Sequence, residues 1–166
     1  MKPAYINRCL AITLIVLPLL CASAFAQGNT NMKELMSLPG KVVSEAKSAR
    51  PTGALKLTGY RVEEVQLPNT QTVQLHGQQT RVDKAWRVTV HGGPFPVRAM
   101  PAVIWIEDQI AGIGIENETL SQITAITFDS SLIHEGGVIS VSYGEDKDAR
   151  VSVSQRLQLK HEGGNQ

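Results

Sequence analysis

Outside the first 26 residues the groups best equipped for chemistry are four histidines, His76, His91, His134 and His161, and three acidic clusters. The clusters are Glu107-Asp108, Glu116 with Glu118, and Glu145-Asp146 with Asp148. A local zinc site needs imidazoles two or four residues apart on one element. No two of these histidines are so placed, and they read as surface or loop residues. Calcium needs six to eight converging oxygens, and none of the acidic spacings follows an EF-hand loop. Two carboxylates from different clusters would suit glycoside hydrolysis if the fold held them about 5–10 Å apart. Lys147 and Arg150 stand beside the last cluster, so solvated turn carboxylates are the simpler reading. No metal or other cofactor is expected.

His91-Gly92-Gly93 would suit an oxyanion loop, whose N–H groups face a developing negative charge. That chemistry also requires a G-x-S-x-G nucleophile elbow, which the sequence lacks. The triplet reads as a glycine turn leaving a strand. Trp86, Trp105 and Tyr143 are the aromatics able to stack on a sugar ring. Trp86 shares a face with Val88 and Val90, Trp105 sits in an apolar run, and Tyr143 follows Val141. All three therefore read as core. Asn117-Glu118-Thr119 matches a glycosylation sequon, but the brief leader looks bacterial, and there the match is compositional.

The loop GGPFPVRAMP offers a different kind of chemistry. Its three prolines lower the entropy cost of presenting a side chain. Phe95, Arg98 and Met100 form the candidate contact patch, because aromatic and arginine anchors are enriched at interfaces. The competing reading has Phe95 and Met100 plugging the end of a β domain while the prolines prevent edge pairing.

Residues 1–26 have the three parts of a secretory signal. Lys2 and Arg8 make a positive start, LAITLIVLPLL is an apolar stretch short of a bilayer span, and Ala24-Phe25-Ala26 places cleavage before Gln27. A lipoprotein alternative would use Cys21, but the residue before it, Leu20, is not small. The expectation is an exported protein, periplasmic or extracellular, with no membrane span in the mature chain. Cleavage removes both cysteines, Cys9 and Cys21, so no disulfide supports the domain. The 140 remaining residues carry 14 Lys and Arg against 15 Asp and Glu, a formal charge of −1. Nucleic acid or an anionic membrane surface would call for a basic excess.

The elements that must position these residues are strands. Residues 27–53 are polar and read as a flexible arm or short helix, since Pro39-Gly40 interrupts the weak helical spacing of Met32, Leu35 and Met36. From residue 54 to 160 the pattern is period two. Leu55 and Leu57 lead into Tyr60 and Val62, and Pro68-Asn69 is expected to end that strand. Val73 and Leu75 make a short strand closed by Gly77, and Trp86, Val88 and Val90 alternate clearly. AVIWI is a continuous apolar run suited to a central strand. ITAITF, then Ile139, Val141 and Tyr143, then Val151 and Val153 complete the set before the polar tail 161–166. Eight or nine short strands with almost no helix predict an all-β, antiparallel sandwich.

Four segments in order, RVTVHGGPFP, MPAVIWIEDQIAGIGI, LSQITAITF and EGGVISVSYG, give residues 87–159 a family resemblance. The block resembles an immunoglobulin-like β-sandwich, nearest to the IPT/TIG type of early-set domain. The resemblance implies an interaction or scaffold module and carries no catalytic residues. The expected function is surface binding of a protein or glycan in the envelope or outside the cell, or an envelope scaffold. The alternative is a small secreted hydrolase or lyase whose acidic and histidine residues converge only in the fold.

Overall fold

The computed structural model describes residues 32–47, 55–95, 100–116, 120–144 and 148–159. The leader expected at 1–26, Arg98, His161 and the tail 161–166 lie outside the described residues.

Two antiparallel sheets pack face to face, as the strand pattern predicts. One sheet has the order β1-β2-β3-β7-β6, with β1 Gly40–Lys47, β2 Lys56–Leu75, β3 Gln78–Gly93, β6 Ile115–Glu116 and β7 Gln122–Thr127. The other has the order β5-β4-β8-β9, with β4 Ala102–Ile106, β5 Gln109–Ile113, β8 Ile139–Tyr143 and β9 Val151–Ser152. All five side chains of β4 are buried, because it is an interior strand between β5 and β8. A strand covered on both faces reads as an unbroken apolar run. Val62, Val88, Val90, Ile104, Ile123 and Val141 share the core between the sheets. Trp105 is buried on the face of β4 opposite Ile104 and Ile106 and donates its indole N–H to Ser142 Oγ at 2.8 Å, while Trp86 and Tyr143 are half-buried against the core between the sheets.

Within the segment 27–53, the described residues 32–47 differ from expectation. A short helix, α1 Met32–Ser37, does stop before Pro39, but the residues after it form β1, paired with β2. A register shift between Val42 and Ser44 interrupts the period-two alternation of GKVVSEAK, so the strand was hidden in a polar stretch. Pro68-Asn69 does not end β2. The ladder with β3 runs to Gln66↔Lys84 and resumes at Gln71↔Val82, so the proline occupies a bulge where its missing N–H costs no ladder bond. β2 and β3 are therefore one long hairpin, turning at His76-Gly77, where both residues have positive φ.

The hairpin projects past the main core and needs a second one. Leu35 of α1 packs on Leu67, Ala85 and Ile126, on the face of the first sheet away from β4. Arg87 fixes the helix there. Its Nε donates to Glu63 Oε2 at 2.8 Å, and Nη1 donates to the carbonyls of Met36 and Leu38 at 2.6 and 2.9 Å. Those carbonyls at a helix C-terminus have no intrahelical partner, so a cation there satisfies both charge and hydrogen bonding. Tyr60 ties the far end of the chain to the same sheet: its hydroxyl donates to Arg156 O at 2.8 Å and accepts from Ser44 Oγ and Gln158 N, both at 3.2 Å.

Candidate functional site

The sequence-derived candidates separate once placed on this frame. Phe95 is fully buried in the inter-sheet core, and its N–H donates to Leu120 O at 3.0 Å. That corrects the expectation of a Phe95-centred contact patch: the ring plugs the sandwich and presents no surface. Met100 is 62 % exposed and lies against Gly144, and Arg98 is outside the described residues. The acidic turn Glu107-Asp108 is committed to structure. Glu107 Oε1 accepts from Val138 N at 2.9 Å, and Asp108 pairs with Arg150, whose guanidinium lies 5.4 Å from the centroid of the Trp105 ring. His134 meets the carbonyl of Glu135. Among the described residues no three His, Cys, Asp or Glu side chains come together in a way that would hold a metal ion.

His91, on β3 between β2 and β7, is partly buried. Desolvation lowers its pKa, opposed by Glu45 and assisted by Lys47 and Arg61. The unfolded chain therefore takes up this proton first as pH falls below the ordinary histidine value of about 6.5. Stability should decline from that pH down to the folded-state pKa and level off beneath it. In chemical denaturation, His91→Gln should flatten that part of the profile relative to wild type; an unchanged profile would assign the slope elsewhere. Glu45, whose pKa is lowered chiefly by a hydrogen bond from Lys47, loses its contribution only at more acidic pH, below about 4.3.

A concave site forms elsewhere, where β5, the end of β7 and the tip of the β2–β3 hairpin meet. It is a groove of about 610 Å³, within the range of ligand-binding clefts. Three runs of consecutive residues line it, 73–76, 109–113 and 126–129, together with Met32 and Leu132. Met32 is 43 %, Ile110 39 % and Ile113 44 % exposed. At one end His76 Nε2 meets Asp129 Oδ2 at 2.7 Å, joining the hairpin turn to the loop after β7. Asp129 Oδ1 also accepts from Ser131 N and Oγ, at 2.9 and 2.6 Å, and caps the 3-10 turn Ser130–Leu132. The order of these contacts decides their chemistry. A nucleophilic serine must touch the imidazole, with the carboxylate behind it. Here the carboxylate stands between serine and imidazole, so the trio is a structural clasp.

No family model, curated protein or solved structure matches the chain.

The sequence reading missed the groove because its parts are far apart in the chain. One signal was present. Ile110 and Ile113 are three residues apart in a strand, so they cannot both belong to one buried face of regular pleat.

Proposed function

We propose that the protein is an exported, non-catalytic, immunoglobulin-like β-sandwich that works by binding a protein partner, with the groove beside β5 as its binding face. One observation carries this reading. Of the four large apolar side chains exposed among the described residues, three, Met32, Ile110 and Ile113, line that groove. Single exposed apolar residues are ordinary, whereas a cluster around a concavity marks an interaction site. The aliphatic lining favours a protein over a glycan, which would need exposed planar rings for stacking.

The strand order supports the immunoglobulin-like part of the proposal. With β2 taken as strand A, the order β2-β3-β7-β6 facing β5-β4-β8-β9 reads A-B-E-D against C′-C-F-G. Trp105 then sits on strand C, where such domains bury a tryptophan, but it faces away from the core that holds Ile104 and Ile106. β1 and α1 are additions ahead of strand A.

The test is capture of partners from the native envelope by the mature protein and by an Ile110→Ser/Ile113→Ser variant. Both side chains are substantially exposed, so the variant should keep its stability within about 1 kcal/mol. Capture of any specific partner should fall at least about tenfold, as expected when central apolar contacts are lost. Undiminished capture would remove the groove from the function.

A further inference from the structure

We infer that the far half of the β2–β3 hairpin is a hinged wall of the groove, which lifts at the bulge over residues 68–70 while the sandwich stays folded. Lifting admits an apolar side chain of the partner, a step that rests on the groove being the binding face.

The hairpin has two halves of unlike character. Seven of the twelve residues 56–67 are buried, against one, Val73, of the twelve residues 71–82. The near half is held on both sides. β1 pairs with β2 as far as Val65, β7 pairs with β3 from Trp86 onward, and α1 packs over Leu67 and Ala85. In the far half five pairs, Gln71↔Val82 to Leu75↔Gln78, tie the two strands to each other. Among the described residues neither strand has a second ladder neighbour there. A two-stranded ribbon is marginal by itself. Buried Val73, half-buried Val82 against the second core, and the clasp of exposed His76 to Asp129 at 2.7 Å fasten it to the domain. Segments with so few buried apolar contacts open first.

Between the halves, residues 67–70 of β2 stand opposite Asp83 alone on β3. Leu67 is buried in the second core, and Gln66 Nε2 donates to Asp83 O at 3.0 Å, so the near half ends firmly. Pro68, Asn69 and Thr70 are exposed and outside the ladder. Proline fixes its own φ, which leaves Asn69 and Thr70 to absorb the bend.

The other walls cannot give. A Cβ on Gly112 would lie 3.0 Å from Ala125 Cβ and 3.1 Å from Ile126 O, so β5 is already seated against β7. Ala111 beside it is buried in the core between the sheets. Residues 109–113 and 126–129 therefore keep their spacing, and room is made by raising residues 73–76. That movement uncovers Val73 and Leu75 beside Ile110 and Ile113.

Native-state hydrogen exchange on the mature protein reads the hinge directly. Ladder amides of 71–75 and 78–82 should exchange at least about tenfold faster than those of 60–65 and 86–90. His76→Asn releases the clasp, because asparagine tolerates the positive φ of this turn and is the shorter side chain. An exposed pair of this kind shifts an equilibrium by up to about fivefold. Exchange in the far half should therefore rise about three- to fivefold, with the near half unchanged. Entry is probed with the neutral fluorophore N-phenyl-1-naphthylamine. It should bind His76→Asn about three- to fivefold more tightly than wild type, since apparent affinity follows the open fraction. Equal protection in the two halves, or unchanged far-half exchange in His76→Asn, would overturn the hinge. Equal or weaker dye binding by His76→Asn would overturn the admission step. Dye binding untouched by Ile110→Ser/Ile113→Ser would remove the groove as the binding face, while the exchange rates still decide the hinge.

Discussion

Phe95→Ala should lower the stability of the domain by about 3–5 kcal/mol, the usual cost of emptying a fully buried phenylalanine site. For a domain of this size that is a fall in Tm of about 10 °C or more, measurable by circular dichroism. Its ring is wholly enclosed among core side chains from both sheets, and its backbone N–H is held by Leu120 O. Little can collapse into the space from two hydrogen-bonded sheets. Met100→Ala, five residues on and largely exposed, should change stability by no more than about 0.5 kcal/mol. A Phe95→Ala protein as stable as wild type would return Phe95 to the surface and revive the contact-patch reading.

Arg87→Ala should cost about 3 kcal/mol, with the loss centred on the docking of α1. The side chain is largely buried, and so is that of Glu63. Removing the cation strands a desolvated carboxylate and two helix-terminal carbonyls together. Breaking a buried pair from one side costs about 3–5 kcal/mol. Arg61, 3.0 Å from Glu63 Oε1 but more exposed, keeps part of the compensation and places the value at the low end. The combined change Arg87→Met/Glu63→Leu should recover much of the loss, because a well-packed apolar pair often equals a buried ion pair. A double variant no better than Arg87→Ala would show that the helix carbonyls, and not the carboxylate, carry the effect. Hydrogen exchange at Leu35 and Val65 would separate local undocking from global loss.

How much of this was legible in the sequence depended on whether period-two patterning survived. β4 was readable because an interior strand has no polar face, and β3 and β8 because their ladders keep register through the core. β1 was not, since one bulge shifts its buried set from one parity to the other and its polar residues look like an arm. Pro68 misled for a related reason: proline is a reliable break only where the ladder needs its N–H, and here the ladder steps around it. Phe95 illustrates the limit for sites. A proline-stiffened loop with an aromatic reads equally as a presented anchor or as a plug, and only the position of the neighbouring sheet decides between them. The groove residues come from four separate segments, so no local spacing could announce them.

The hydroxyl of Tyr60 has a consequence for the order of assembly. It joins β1 and β2 to Arg156 and Gln158, partners 96 and 98 residues further along. Leu157, fully buried between them, closes the same corner, and its N–H bonds Gly137 O. Contacts of such sequence separation slow folding, because the intervening loop must be closed before they form. A chain emerging from a ribosome, or threading through a narrow pore from its N-terminus, cannot complete this core until residue 158 is free. Until then the Tyr60 hydroxyl lacks its distant partners, and the corner it latches stays open.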